Sequence, residues 1–331
     1  MLYLHCGWPR TGTSSLQAVL WGQRQALADA GTIFPRRWLS ELSPTHHGLS
    51  ELLAASEGSE APLDEFKAFL EAHRHADIIF SAESITDWLI SAKRREALLA
   101  FVAAAAEVMP IRCIWTLRRV DEAIRSLYLL AMSMGGNWPS PEGQYRVTAY
   151  LEPLFTGMRL VGEANGGEVT FVKYDSAGAH QIELVRAFGI AEPAAGVIRD
   201  QLKQRPRLNR SLTHKHAVLL ANLDVFSARV GVDLDRVALC GAIRSGELAF
   251  DEDRRCELVD GEARRRLHEH ALGAACEAHF RPYDEFFGDA EIPSVEATPL
   301  APEILDDRDI EHLIGLCERR KGDRGRKGPD S

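Results

Sequence analysis

The sequence predicts an α/β chain built on a three-layer, doubly wound parallel sheet of about five strands, with a helical C-terminal region. Three observations carry this expectation. Short apolar runs alternate with longer segments of helical period. A glycine-containing loop dense in hydroxyls follows the first apolar run directly. Beyond about Asn209 the strand-like runs cease and the pattern is mostly helical.

Taken in order, Leu2 to Cys6 reads as the first strand. Ser14 to Ala30 has helical period and stops at Gly31, a residue suited to a helix C-cap. Thr32 to Phe34 is a short second strand closed by Pro35, and Ala76 to Ser81 is a third. Lys93 to Val108 is a helix ended by Pro110, and Ile111 to Leu117 a fourth strand. Asp121 to Met134 is helical up to the glycine pair at 135–136. Val169 to Lys173 is the fifth strand, and His180 to Phe188 a helix closed by Gly189. The domain reading is one α/β domain over 1–288, with a motif-bearing core at 1–190 and a mostly helical part at 191–288. The stretch 289–331 holds Pro293, Pro299 and Pro302 and reads as a tail with one peripheral helix.

The chain has 331 residues, 45% hydrophobic and 26% charged, with a net charge of −9. That balance suits a globular core and argues against broad nucleic-acid binding, which rests on basic surface. No segment reaches the ~20 apolar residues of a membrane span, and no cleavable leader is evident, so a cytoplasmic location is expected. The six cysteines form no C-x-x-C pair. Among the twelve histidines there is no H-E-x-x-H, and the pairs His214/His216 and His268/His270 are spaced two apart, off a shared helix face. No metal is expected.

The loop carries the chemistry. Laid on the phosphate-loop pattern G-x-x-x-x-G-K-[ST], it reads Gly7 to Ser14 with both glycines and the final hydroxyl in place. Thr13 stands where the lysine belongs, and a basic residue appears instead at Arg10. A strand–loop–helix turn still aims backbone N–H groups at one point, so the loop suits a single phosphate-like group rather than a triphosphate.

The run Arg10-Thr11-Gly12-Thr13-Ser14-Ser15 resembles the 5'-phosphosulfate loop of sulfotransferases that use 3'-phosphoadenosine-5'-phosphosulfate, and most of all that of bacterial and carbohydrate-type members. The resemblance implies that Arg10, Thr11, Gly12, Thr13, Ser14 and Ser15 hold the 5'-phosphate end, with Arg10 also stabilising charge on the leaving group. In this family an Arg at the end of the fourth strand and a Ser eight residues later hold the 3'-phosphate. Arg118 and Ser126 have that spacing, although Arg119-Val120 replace the usual Asp-Pro. The resemblance further implies sulfuryl transfer to a hydroxyl of a small molecule or saccharide.

Such a transfer needs a base. Glu83, in the loop after the third strand, occupies the position of the catalytic Glu in similar carbohydrate sulfotransferases. His46 and His47, in the loop after the second strand, are the other candidates. A phosphate-loop kinase or triphosphatase, or a non-catalytic nucleotide-binding protein of the same fold, remains the alternative.

Overall fold

A computed structural model describes residues 1–8, 11–41, 43–57, 59–133, 148–204, 212–250, 260–294, 296 and 299–326; at 244 and 320–326 the description is of the backbone alone. Five strands form one parallel sheet: β1 (Leu2–Gly7), β2 (Thr32–Ile33), β3 (Asp77–Ser81), β4 (Ile111–Leu117) and β5 (Val169–Lys173), in the order β2-β3-β1-β4-β5. From β1 the chain crosses to the edge strand β2, returns to β3 beside β1, and then builds the other side through β4 and β5. The topological switch therefore lies beside β1, and the carboxyl ends of β1, β3 and β4 face the crevice where ligands bind in open α/β sheets.

Alternation along the strands decides what covers each face. Tyr3, Ile79, Ile114 and Val172 point to one side. There they pack with Leu16 and Leu20 of α1 (Thr13–Gly22), Leu27 of α2 (Arg24–Asp29), Leu184 and Phe188 of α8 (Ala179–Ala187), and Ile198 of α9 (Ala194–Gln204). Phe80 points to the other side. It meets Phe66 of α4 (Ala61–Ala72), which touches Phe101 of α5 (Ala92–Val108) in turn. α3 (Gly48–Ser56) and α7 (Leu151–Ala164) join that layer. Helices on both faces make a doubly wound sheet.

The strands begin and end within a residue or so of expectation. The long helix expected over Ser14 to Ala30 is two helices, broken at Gln23, whose N–H caps Val19 O at 2.9 Å. The segment Glu83–Leu89 is a 3₁₀ helix. The expected stop of α6 (Val120–Ser133) at 135–136 lies outside the described residues.

Compactness does not follow the expected division at residue 288. The chain forms two compact units, one of 1–123, 146–208 and 266–291, the other of 124–145, 209–265 and 292–331. The first holds the sheet. The second is helical: α10 (His214–Ala221), α11 (Leu223–Val230), α12 (Arg236–Ser245) and α15 (Asp307–Arg326) bury Val218, Leu219, Phe226, Ile243 and Leu316 together. α15 is the helix expected in the tail, but it is not peripheral. Leu313 is fully buried in this core, and Lys215 pairs with the buried Asp309 at 2.8 Å. Its apolar positions Ile310, Leu313 and Leu316 recur at helical spacing, which makes one face insoluble unless covered. His216 is used structurally, closing a capping box with Thr213 and meeting Leu248 O at 3.1 Å.

Candidate functional site

The loop after β1 starts from a strand buried along its length. Gly7 is closely approached: a Cβ there would stand 3.2 Å from Thr11 Oγ1, tighter than an ordinary contact. Thr11 turns back to donate to Trp8 O at 2.8 Å, and Trp8 N donates to Thr116 O at 3.2 Å. Gly12 adopts φ 72°, ψ 19°, a left-handed conformation that glycine reaches without strain, and α1 begins at the next residue. Gly12 and Ser14 are exposed, Ser15 is half-buried, and Thr11 and Thr13 are buried. Thr13 Oγ1 has no hydrogen-bond partner among the described residues. Pro9 and Arg10 lie outside the described residues.

Beneath the loop sits a buried polar cluster that the sequence reading missed. His5 Nδ1 lies 2.8 Å from Ser81 Oγ, His5 Nε2 lies 3.3 Å from Thr116 Oγ1, and Gln17 Nε2 donates to Ser81 Oγ at 3.0 Å. These groups join β1, β3, β4 and α1 just under the crevice. Burial pushes the His5 imidazole down to about 3, so it stays neutral. The signal was legible: His5, Ser81 and Thr116 are polar residues inside otherwise apolar strands, and buried polar groups need partners.

Helix α8 supports the same loop. His180 Nε2 donates to Thr11 O at 2.8 Å, and Gln181 Nε2 donates to Gly12 O at 2.6 Å. Asp175 N donates to His180 Nδ1 at 3.4 Å, which fixes the neutral Nε2–H tautomer. Burial lowers the His180 pKa, in keeping with that state.

Arg118 follows β4 and is 6% exposed. Its guanidinium lies over the Tyr174 ring, 4.4 Å from the centroid, and its Nε is 3.7 Å from Glu122 Oε2. The adjacent Arg119 is committed elsewhere, meeting Asp121 through Nε at 2.6 Å and Nη2 at 3.1 Å. Ser126 lies on α6 beyond residue 123, in the second unit, and is buried.

Among the base candidates, Glu83 opens the 3₁₀ segment after β3 and is half-buried. His46 is fully buried, and both of its ring nitrogens are used. Ser81 N donates to Nδ1 at 3.1 Å and Nε2 donates to Pro35 O at 3.0 Å, with Phe34 and Phe80 against the ring. Burial lowers its pKa to about 4. That geometry makes His46 a strut between the ends of β2 and β3, with no nitrogen left for a substrate proton. His47 is exposed and its Nδ1 lies 3.1 Å from Ser84 Oγ, which lies 2.7 Å from Ser50 Oγ.

The loop carrying both histidines is tightly built. Gly48 N donates to Trp38 O at 3.0 Å, and a Cβ on Gly48 would stand 2.9 Å from the Trp38 backbone. Gly48→Ala is therefore expected to destabilise the protein by about 1–3 kcal/mol, the usual cost of overpacking. A urea midpoint equal to that of the parent protein would refute this.

Among the described residues, no cluster of His, Cys, Asp and Glu is suited to a metal ion, and no helix is long and apolar enough to cross a membrane. No family model, curated protein or solved structure matches the chain.

Proposed function

We propose that this chain is a sulfotransferase that moves a sulfuryl group from 3'-phosphoadenosine-5'-phosphosulfate to the hydroxyl of a small molecule or saccharide. The observation that carries the reading is the β1–α1 loop, with Gly12 left-handed at the start of α1 and a buried Thr13 hydroxyl that has no partner among the described residues. An unsatisfied buried hydroxyl costs about 1–3 kcal/mol, which a ligand oxygen at the helix start would offset. The first N–H groups of α1 have no partner within the helix and favour an anion. Thr11, Gly12, Thr13, Ser14 and Ser15 would hold the 5'-phosphate end. Arg118 would hold the 3'-phosphate, by the two parallel hydrogen bonds an Arg fork offers. Arg10 and Ser126 belong to the reading on sequence grounds.

The donor supplies a sulfuryl group on a phosphate leaving group. The residues of the chain bind, orient and neutralise. The loop amides and hydroxyls are fixed donors where negative charge grows on the leaving oxygen. Glu83 accepts the proton of the attacking hydroxyl. His46 has no part in this step.

Calorimetric titration with 3',5'-adenosine bisphosphate, with ATP and Mg²⁺ as the rival, tests the reading. Micromolar binding of the bisphosphate with little response to ATP is expected; the reverse order would return the chain to the kinase class. Arg118→Lys keeps the charge and loses the fork. It is expected to weaken the bisphosphate roughly 10–100-fold, the size of a lost charge-assisted hydrogen bond, and to leave adenosine 5'-monophosphate nearly unchanged. Equal losses for both nucleotides would remove Arg118 from the 3'-phosphate.

A further inference from the structure

The two hydrogen bonds from α8 to the loop fix more than its position. A trans peptide is planar, with its C=O and N–H on opposite sides. The carbonyl of Thr11 shares its peptide with the N–H of Gly12, and the carbonyl of Gly12 shares its peptide with the N–H of Thr13. His180 holds the first carbonyl at 2.8 Å and Gln181 holds the second at 2.6 Å. Two successive N–H groups thereby point away from the side chains of α8, at the N-terminus of a ten-residue helix. Successive N–H groups around a left-handed residue make an anion-binding concavity. Gly12 is the residue freest to rotate out of that arrangement, and both nitrogens lie 3.8 Å from where its Cβ would be.

The same support reaches the basic residue. The His180 ring packs on Tyr174, with centroids 4.8 Å apart, and the Arg118 guanidinium lies on Tyr174. Loop and Arg118 are thus referred to one aromatic ring.

We propose that His180 and Gln181 are positioning residues that hold the Gly12 and Thr13 amides toward a bound anion, by anchoring the carbonyl at the other end of each peptide. The proposal rests on the functional reading above only for the identity of that anion, a phosphate of an adenosine bisphosphate. The clamp itself requires only that the loop bind a phosphate-like group.

The test follows the Gly12 and Thr13 amide signals by NMR in protein labelled at glycine and threonine. Inorganic phosphate and 3',5'-adenosine bisphosphate are titrated separately. Gln181→Met keeps the length of the side chain and removes the donor at a half-buried position, so the fold is retained. It is expected to weaken both ligands roughly tenfold, the size of one net hydrogen bond, with an unchanged melting temperature. His180→Phe keeps a ring against Tyr174 but loses both the donor to Thr11 O and the acceptor for Asp175 N, so it should weaken both ligands alike while also lowering the melting temperature; His180→Gln, whose amide can donate to Thr11 O, should restore part of the loss of affinity. Unchanged affinities in Gln181→Met and His180→Phe would overturn the proposal. So would Gly12 and Thr13 amides that respond to neither ligand in the parent protein. Amides that respond to phosphate and lose that response in the variants, with no preference for the bisphosphate, would uphold the clamp and sink the nucleotide reading.

Discussion

Glu83→Gln is expected to lower turnover by ~10²–10⁴, the range for a lost general base, while leaving binding of 3',5'-adenosine bisphosphate within about twofold. The split follows from the separate places of the groups. In the proposed function the nucleotide lies on the β1–α1 loop and Arg118 after β4, whereas Glu83 stands after β3, on the other side of β1 in the sheet. Its backbone neighbourhood is fixed: Ala82 N donates to His5 O at 2.9 Å, and the Ser84 hydroxyl meets both His47 and Ser50. Gln has nearly the same shape as Glu, so the substitution tests the proton and not the packing. Single-turnover kinetics with saturating donor would read the chemical step directly. Unchanged turnover would move the base to His47, the exposed imidazole in the loop between β2 and α3. It would not move it to His46, whose two nitrogens are held by Ser81 N and Pro35 O.

Much of the sheet was legible because each strand is a short apolar run bounded by glycine, proline or charge. Ile111 to Leu117 and Val169 to Lys173 end where the pattern ends. The helices α3, α4 and α7 were not assigned from sequence. In α4 only Phe66 and Leu70 are buried, a stripe too sparse to stand out among acidic neighbours. The role of α15 was hidden for a related reason. Its partners Val218 and Phe226 lie far away in sequence, and proline-rich flanks suggested a tail. In the site, Gly7 and Gly12 could be read because a glycine announces a close approach or a left-handed turn. His46 could not be sorted from His47 without coordinates: two adjacent histidines look alike in sequence, yet one is fully buried between two phenylalanines and the other is exposed. His180 and Gln181 escaped notice because their bonds go to backbone carbonyls about 170 residues away, which leave no side-chain pattern.

The buried histidines also set how the fold responds to acid. His5 and His46 are held neutral, at about 3 and about 4, by burial, and burial lowers His180 in the same direction. In the unfolded chain each would take up a proton near pH 6.5. Above that pH both states carry neutral rings and the stabilisation is fully present. As the pH falls below 6.5 the unfolded state binds protons that the folded state refuses, and stability drops until the folded pKa is reached. Each such ring contributes a slope of about 1.4 kcal/mol per pH unit, and His46 alone withholds on the order of 3 kcal/mol by pH 4. Against a total stability of about 5–15 kcal/mol, that is a large fraction, and its loss begins above the range where carboxylates titrate. Urea midpoints measured between pH 5 and 8 are therefore expected to fall steeply below pH 6.5 and to be flat above it. His46→Gln keeps a donor for Pro35 O and an acceptor for Ser81 N but cannot titrate. It should cost stability at pH 8 through imperfect fit, yet shed about 1.4 kcal/mol per pH unit of the slope below 6.5. A slope as steep as that of the parent protein would show that His46 is not the group that refuses the proton, and would place the acid sensitivity on the other buried histidines, His180 against the loop and His5 beneath it. At His5, protonation would put a charge on a fully buried ring that meets Ser81 and Thr116 and so joins three strands under the site.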